Sequence, residues 1–220
     1  MSALGLSTQK ACDSLIGAGI STDGDIGQAS VGAEQKLIAK LQSIFTSKNY
    51  TWGANNLIGV RMDDIFTDQF TDIGIIVMGA NLYAFPMSTK PGSYWLTHAD
   101  TGAANGCACV LEGQYHNMWQ WHDVVGGWSG EPYCQQIANT TVIRQKNKTA
   151  GMSIDRTVTP ISGIFGINFH TWGTYNGPTV GNLSAGCQVM DSSVLVDELV
   201  VYMNQFANPI TYTLLHKNMF

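Results

Sequence analysis

Charge is scarce in this chain. Only 12% of its 220 residues are Asp, Glu, Lys or Arg. The net charge is −5 and the isoelectric point about 5.4, with no run of Lys or Arg. Nucleic-acid surfaces need clustered cations to replace phosphate counterions, so a nucleic-acid partner is disfavoured. Long apolar runs are missing too: none approaches the roughly 20 residues that span a bilayer as a helix. Met1–Lys10 lacks a basic region followed by an apolar core, so no secretory signal is evident. The chain is then either made in the cytosol or a mature form whose signal was removed. Cysteine is too sparse, and odd in number, for a disulfide framework. Cys12, Cys107, Cys109, Cys134 and Cys187 leave at least one thiol unpaired.

What is present points to a β-rich domain. Hydrophobic residues make up 45% of the chain, glycine is abundant (24 residues), and Thr, Asn and aromatics are frequent. Such a composition suits many short strands and turns. The length supports one domain with a real core, preceded by a small extension. No internal repeat or linker divides it. We place an N-terminal extension at 1–30, with a short helix over Ser7–Ile16, and the domain proper at 31–220.

Periodicity supplies the elements. Leu37, Ile38, Leu41, Ile44 and Phe45 fall on one helical face within Val31–Lys48, with Lys36, Lys40 and Lys48 off it and Ser30 as N-cap. NLIGVRM, IGIIVMG, NLYAF and TTVIR read as strands. STKPGSYWL puts a Pro-Gly turn before an aromatic strand. In GIFGINFH, Phe165, Ile167 and Phe169 alternate with Gly166, Asn168 and His170. Residues 192–206 read as a second helix, capped by Asp191 and stopped at Asn208-Pro209. ITYTLL closes the chain as a strand with Ile210, Tyr212 and Leu214 inward.

One pair carries chemistry. Cys187 ends a glycine-rich loop, where backbone N–H groups can face a developing oxyanion. A thiol with its ordinary pKa near ~8.5 needs a base to become a good nucleophile. His170, last on its alternating strand, is the candidate base. On spacing alone a buried thiol and a core histidine would be the simpler account.

FGINFH followed by VGNLSAGCQV resembles the signature of the L,D-transpeptidase (YkuD-like) superfamily: a strand histidine, a spacer, then Ser-x-Gly-Cys. GVRMDD, KPGSYWL, LEGQYHNMWQWH, TTVIRQKN and YTLL resemble a phage and bacterial branch of it, over about residues 31–220. The resemblance implies a mainly β (β-rich α+β) fold, a β-sandwich or mixed sheet with two flanking helices. It implies an acyl-transfer enzyme acting on peptidoglycan stem peptides through a thioester, without a cofactor or metal. Cys187 would be the nucleophile and His170 its base. Gly186 would set the loop, and N–H groups around Gly186 and Cys187 the oxyanion site. Ser184 would support the loop or the substrate.

The family's Arg two positions after the Cys is Val189 here, and the residue before the Gly is Ala185. A substrate-positioning charge must then come from Arg144, Arg61 or His122. Candidate substrate-binding groups are Arg144, whose guanidinium would grip a carboxylate in two-pronged fashion, His122 in its aromatic segment, and Trp172 and Asn168 beside His170. Hydrolysis, as in a phage lysin, is expected over cross-linking, with action at the cell wall in a phage-encoded or virion-associated setting. A non-catalytic wall-binding or virion structural module is the first alternative. A metal-dependent hydrolase built on Cys107, Cys109 and His98 is the second, although C-x-C is not the usual zinc spacing. Asp63, Asp64, Asp68 and Asp72 read as a solvated turn, since their spacing does not match a calcium loop.

Overall fold

The computed structural model describes residues 13–16, 26–98, 105–123, 132–171, 179–191 and 196–220. Helix α1 (Ile26–Lys48) leads into strands β1 (Asn55–Arg61), β2 (Asp72–Met78) and β3 (Asn81–Ser88), then a short helix α2 (Ser93–Thr97). Next come β4 (Cys107–Val110), β5 (Gly113–His122), β6 (Tyr133–Gln136), β7 (Thr140–Gln145), β8 (Ile161–Gly163), β9 (Phe169–His170) and β10 (Gln188–Met190). Helix α3 (Val196–Met203) and β11 (Ile210–His216) complete the order.

The fold is mainly β, as expected, but the sandwich expectation is not met. Eight strands close into a barrel in the order β1-β11-β5-β6-β9-β10-β3-β2, and β4-β7-β8 form a small separate sheet. The barrel is mixed: β1–β11 and β9–β10 run parallel, and its other pairs antiparallel. Closure removes the free edges that a sandwich leaves exposed.

Alternation in each strand sorts residues inside and out. Leu57, Ile76, Phe85, Trp119, Cys134, Phe169, Met190, Ile210, Tyr212 and Leu214 fill the interior. Trp119 packs against Tyr212 at 4.4 Å and Phe169 at 5.6 Å between ring centroids. The predicted inward set of β11 is therefore correct. Outside, Ile58, Val60, Ile75, Val77, Leu82 and Ala84 receive Leu37, Leu41 and Phe45 of α1. Each of these buried Val, Leu, Ile and Phe side chains stabilises by roughly 1.5–3 kcal/mol.

Three local expectations need correction. Helix α1 begins at Ile26, so Ser30 lies inside it rather than capping it; termini are set by local geometry that periodicity does not read. Ser93–Thr97 is helix, not an aromatic strand. Asp68, remote in sequence, accepts from both the N–H and the Oγ of Ser93 at 2.7 Å and satisfies the helix start. The four aspartates are not a solvated turn. Asp72 is 1% exposed and accepts from Thr89, Asp63 and Asp64 pair with Lys90 and Arg156, and Asp68 performs the capping just described.

Candidate active site

The segment before His170 is shaped by side chains more than by ladder bonds. Only Phe169 and His170 are strand. Upstream, the N–H groups of Phe165 and Ile167 donate to Gln136 Oε1 at 2.9 and 2.8 Å. Trp119 Nε1 donates to the Ile167 carbonyl at 2.7 Å. Ile167 and Phe169 are thereby anchored inward, and His170 turns outward. Asn168, expected to bind substrate, instead accepts from the Gln136 N–H through Oδ1 at 2.9 Å. Its side chain is committed to the backbone.

The loop before Cys187 is equally tied. Ser184 Oγ donates to the Cys187 carbonyl at 2.8 Å and accepts from the Gly186 N–H at 3.0 Å. Ser184 has no exposed surface, so it supports the loop and does not meet a substrate. The Gly186 N–H is spent on Ser184 and does not serve an oxyanion. The Ala108 N–H donates to the Ala185 carbonyl at 3.0 Å, fastening the loop to the small sheet. Gly186 sits at φ +152, and a Cβ there would lie 2.7 Å from the Ala108 carbonyl oxygen. Only glycine fits this approach.

Strand register brings the two candidate residues to one face. In the parallel pair β9–β10, Gln188 matches Phe169 and Val189 matches His170. Phe169 and Met190 point into the barrel. His170 and Val189 therefore point out, and so does Cys187, two residues before Val189, which packs with Val180, Leu183 and Val189. The offset is one diagonal step, about 8 Å between Cα atoms in a regular ladder. The row continues sideways: Tyr133 matches His170 on one side and His122 on the other. The His122 and Tyr133 rings stack at 5.1 Å.

His170 Nδ1 lies 3.1 Å from the Thr171 carbonyl oxygen. A carbonyl only accepts, so Nδ1 carries the proton and Nε2 the lone pair. Burial lowers the His170 pKa below its ordinary value, against the opposing pull of the Thr171 carbonyl, and keeps the ring neutral. Burial pushes the Cys187 thiol up to about 11, although backbone N–H groups at Asn168 and Cys187 act the other way. Cys187 as a residue is 8% exposed, and its thiol donates to the Gly166 carbonyl at 3.4 Å. The resting state is thus a neutral thiol and a neutral imidazole on one face.

Arg144 lies close by. It is the register partner of Ala108, whose methyl faces Gly186. Its guanidinium sits 4.8 Å over the Phe165 ring, donates to the Gly106 carbonyl at 3.0 Å and borders a cavity of about 360 Å³ with Lys146, Lys148 and Asp155. Arg61 is not available as a substrate charge. It is fully buried and donates to Thr89, Val110 and Glu112. Trp172 lies outside the described residues. No model of a known protein family matches the chain, and no curated protein matches it.

Among the described residues, buried polar atoms that lack a hydrogen-bond partner include His122 Nε2 and Thr171 Oγ1 on or beside the His170 row, and Arg144 Nε on the small sheet. Such atoms are rare in a settled core and mark places where a ligand or water completes the bonding. Sequence reasoning missed Tyr133, Thr171 and Gln136. Their roles come from register and long-range bonds, which leave no mark in a local pattern. For the metal alternative, Cys107 and Cys109 are buried against Phe66, Leu96 and Ile143. No three potential ligating side chains gather among the described residues.

Proposed function

We propose that this chain is a cysteine-dependent acyl-transfer enzyme of the L,D-transpeptidase type, acting on peptidoglycan stem peptides with hydrolysis as its outcome. The observation that carries the reading is the shared outer face of Cys187 and His170, with the imidazole tautomer set by the Thr171 carbonyl. The closed barrel would be this chain's form of the family's mixed sheet.

The chemistry follows from the two neutral groups. As sulfur attacks the peptide carbonyl, His170 Nε2 takes the thiol proton and the carbonyl oxygen becomes an oxyanion. Collapse breaks the C–N bond, and the imidazolium returns the proton to the leaving amine. Water then attacks the thioester, again giving up its proton to His170, and releases a carboxylic acid and the thiol. An amine in place of water would cross-link. Arg144, backed by Lys146 and Lys148, would receive a free stem-peptide carboxylate. Val189, fully buried, stands where the family carries Arg, so that position brings no cation to the sulfur.

The slight exposure of Cys187 and its bond to Gly166 favour one other reading, a wall-binding or virion structural module that keeps the fold without the reaction. Purified muropeptides incubated with wild type and Cys187→Ala, followed by mass analysis, separate the two. Acylation chemistry predicts trimmed or cleaved products from wild type alone. Identical product profiles from both proteins would leave only the structural module standing.

A further inference from the structure

Away from Cys187, a cleft of about 310 Å³ opens on the barrel wall where β1, β11 and β5 meet. That is the lower end of the roughly 300–1,000 Å³ range of small-molecule pockets. None of its lining residues is Asp, Glu, Lys or Arg. Amide and hydroxyl side chains, His116 and Phe206 line it instead.

The walls are held before any ligand arrives. Gln114 Oε1 accepts from the Thr51 N–H, and its Nε2 donates to the Thr51 carbonyl, both at 2.8 Å. This clamps the segment before β1 over the sheet. Asn55 Nδ2 donates to the Gln205 carbonyl at 2.8 Å and ties the opposite wall. Between them the ladder is irregular. The β5–β11 register shifts between Ile210 and Tyr212, and Asn117 stands at φ +52. A left-handed non-glycine residue is uncommon, and bulges recur where a sheet re-aims side chains beside a site. Here they place His116 and Asn117, both exposed, at the cleft.

We propose that this cleft binds a neutral saccharide. An ionic ligand would lose hydration here without gaining an opposite charge. A sugar ring offers an apolar C–H face and a rim of hydroxyls that both donate and accept. The carboxamide of Asn117 and the imidazole of His116 each present a donor and an acceptor, and Phe206 supplies the apolar side. The assignment does not depend on the chemistry at Cys187.

The test is a titration of the isotope-labelled full chain, followed by amide chemical shifts, with an N-acetylglucosamine trimer and in parallel a plain glucose trimer. Saturable shifts confined to residues 51–57, 114–117 and 206–213 are expected with at least one of them. Which sugar binds tells whether the acetamido group is read. His116→Ala or Asn117→Gly, the latter keeping the left-handed backbone accessible, should weaken binding about tenfold. Cys187→Ala should bind like wild type. No saturation by roughly 10 mM of either sugar, shifts elsewhere, unaltered binding in both cleft variants, or tighter binding of glucuronic acid would each overturn the proposal.

Discussion

His122 and His170 stand on the same outer face of the barrel, two strands apart, with Tyr133 registered between them. In the proposed reaction His170 would move the proton; His122 offers a buried Nε2 that lacks a partner among the described residues. His122→Phe keeps the stack on Tyr133 and removes that nitrogen. If His122 grips substrate, KM should rise roughly tenfold with kcat little changed. His170→Ala should instead lower kcat by about 10²-fold or more. Steady-state kinetics on a defined stem peptide checks both, and a kcat loss from His122→Phe would give it a part in the chemistry.

The thiol and imidazole are both neutral at rest, because burial raises one pKa to about 11 and lowers the other. Alkylation of Cys187 by iodoacetamide, without substrate, should therefore be slow at pH 7. It should quicken about tenfold per pH unit as the thiolate fraction grows. Intact mass against time at several pH values reads this directly. A rate already level from pH 6 would mean a resting thiolate–imidazolium pair and a different mechanism.

Gly186→Ala should be costly twice over. The new Cβ would meet the Ala108 carbonyl oxygen at 2.7 Å, and φ +152 strains any side chain. A loss of about 2–3 kcal/mol in urea unfolding is expected. Activity should fall further than stability explains, because the same loop carries Cys187. A variant with wild-type stability would show that the loop accommodates the methyl by moving.

Glu112 links Arg61 and Arg156 at 3.0 and 2.8 Å. Although burial acts to raise its pKa, the Arg156 hydrogen bond and the Arg61 charge hold it at about 2. The folded value lies below the ordinary 4.5, so its contribution to stability is complete above pH 4.5 and is lost as pH falls toward 2. Glu112→Gln should flatten part of that acid slope. At pH 7 it should cost about 3 kcal/mol, since the fully buried Arg61 loses a counter-charge. Chemical denaturation across pH 2–7 on both proteins measures the difference.

The amino-acid sequence by itself determined the apolar stripe of α1, the existence of strands at NLIGVRM, IGIIVMG and TTVIR, and the inward set Ile210, Tyr212 and Leu214, because periodicity is local and burial follows it. It also singled out Cys187, His170 and Gly186 as residue types suited to a nucleophile, a base and a tight loop. Only the tertiary structure decided that the sheet closes, that Asn168 and Ser184 serve the backbone, that Arg61 is sealed in an ion-pair network, and that Tyr133 lies between two histidines. These depend on register and on hydrogen bonds between distant segments. A side chain's free valences are known only once its neighbours have taken theirs.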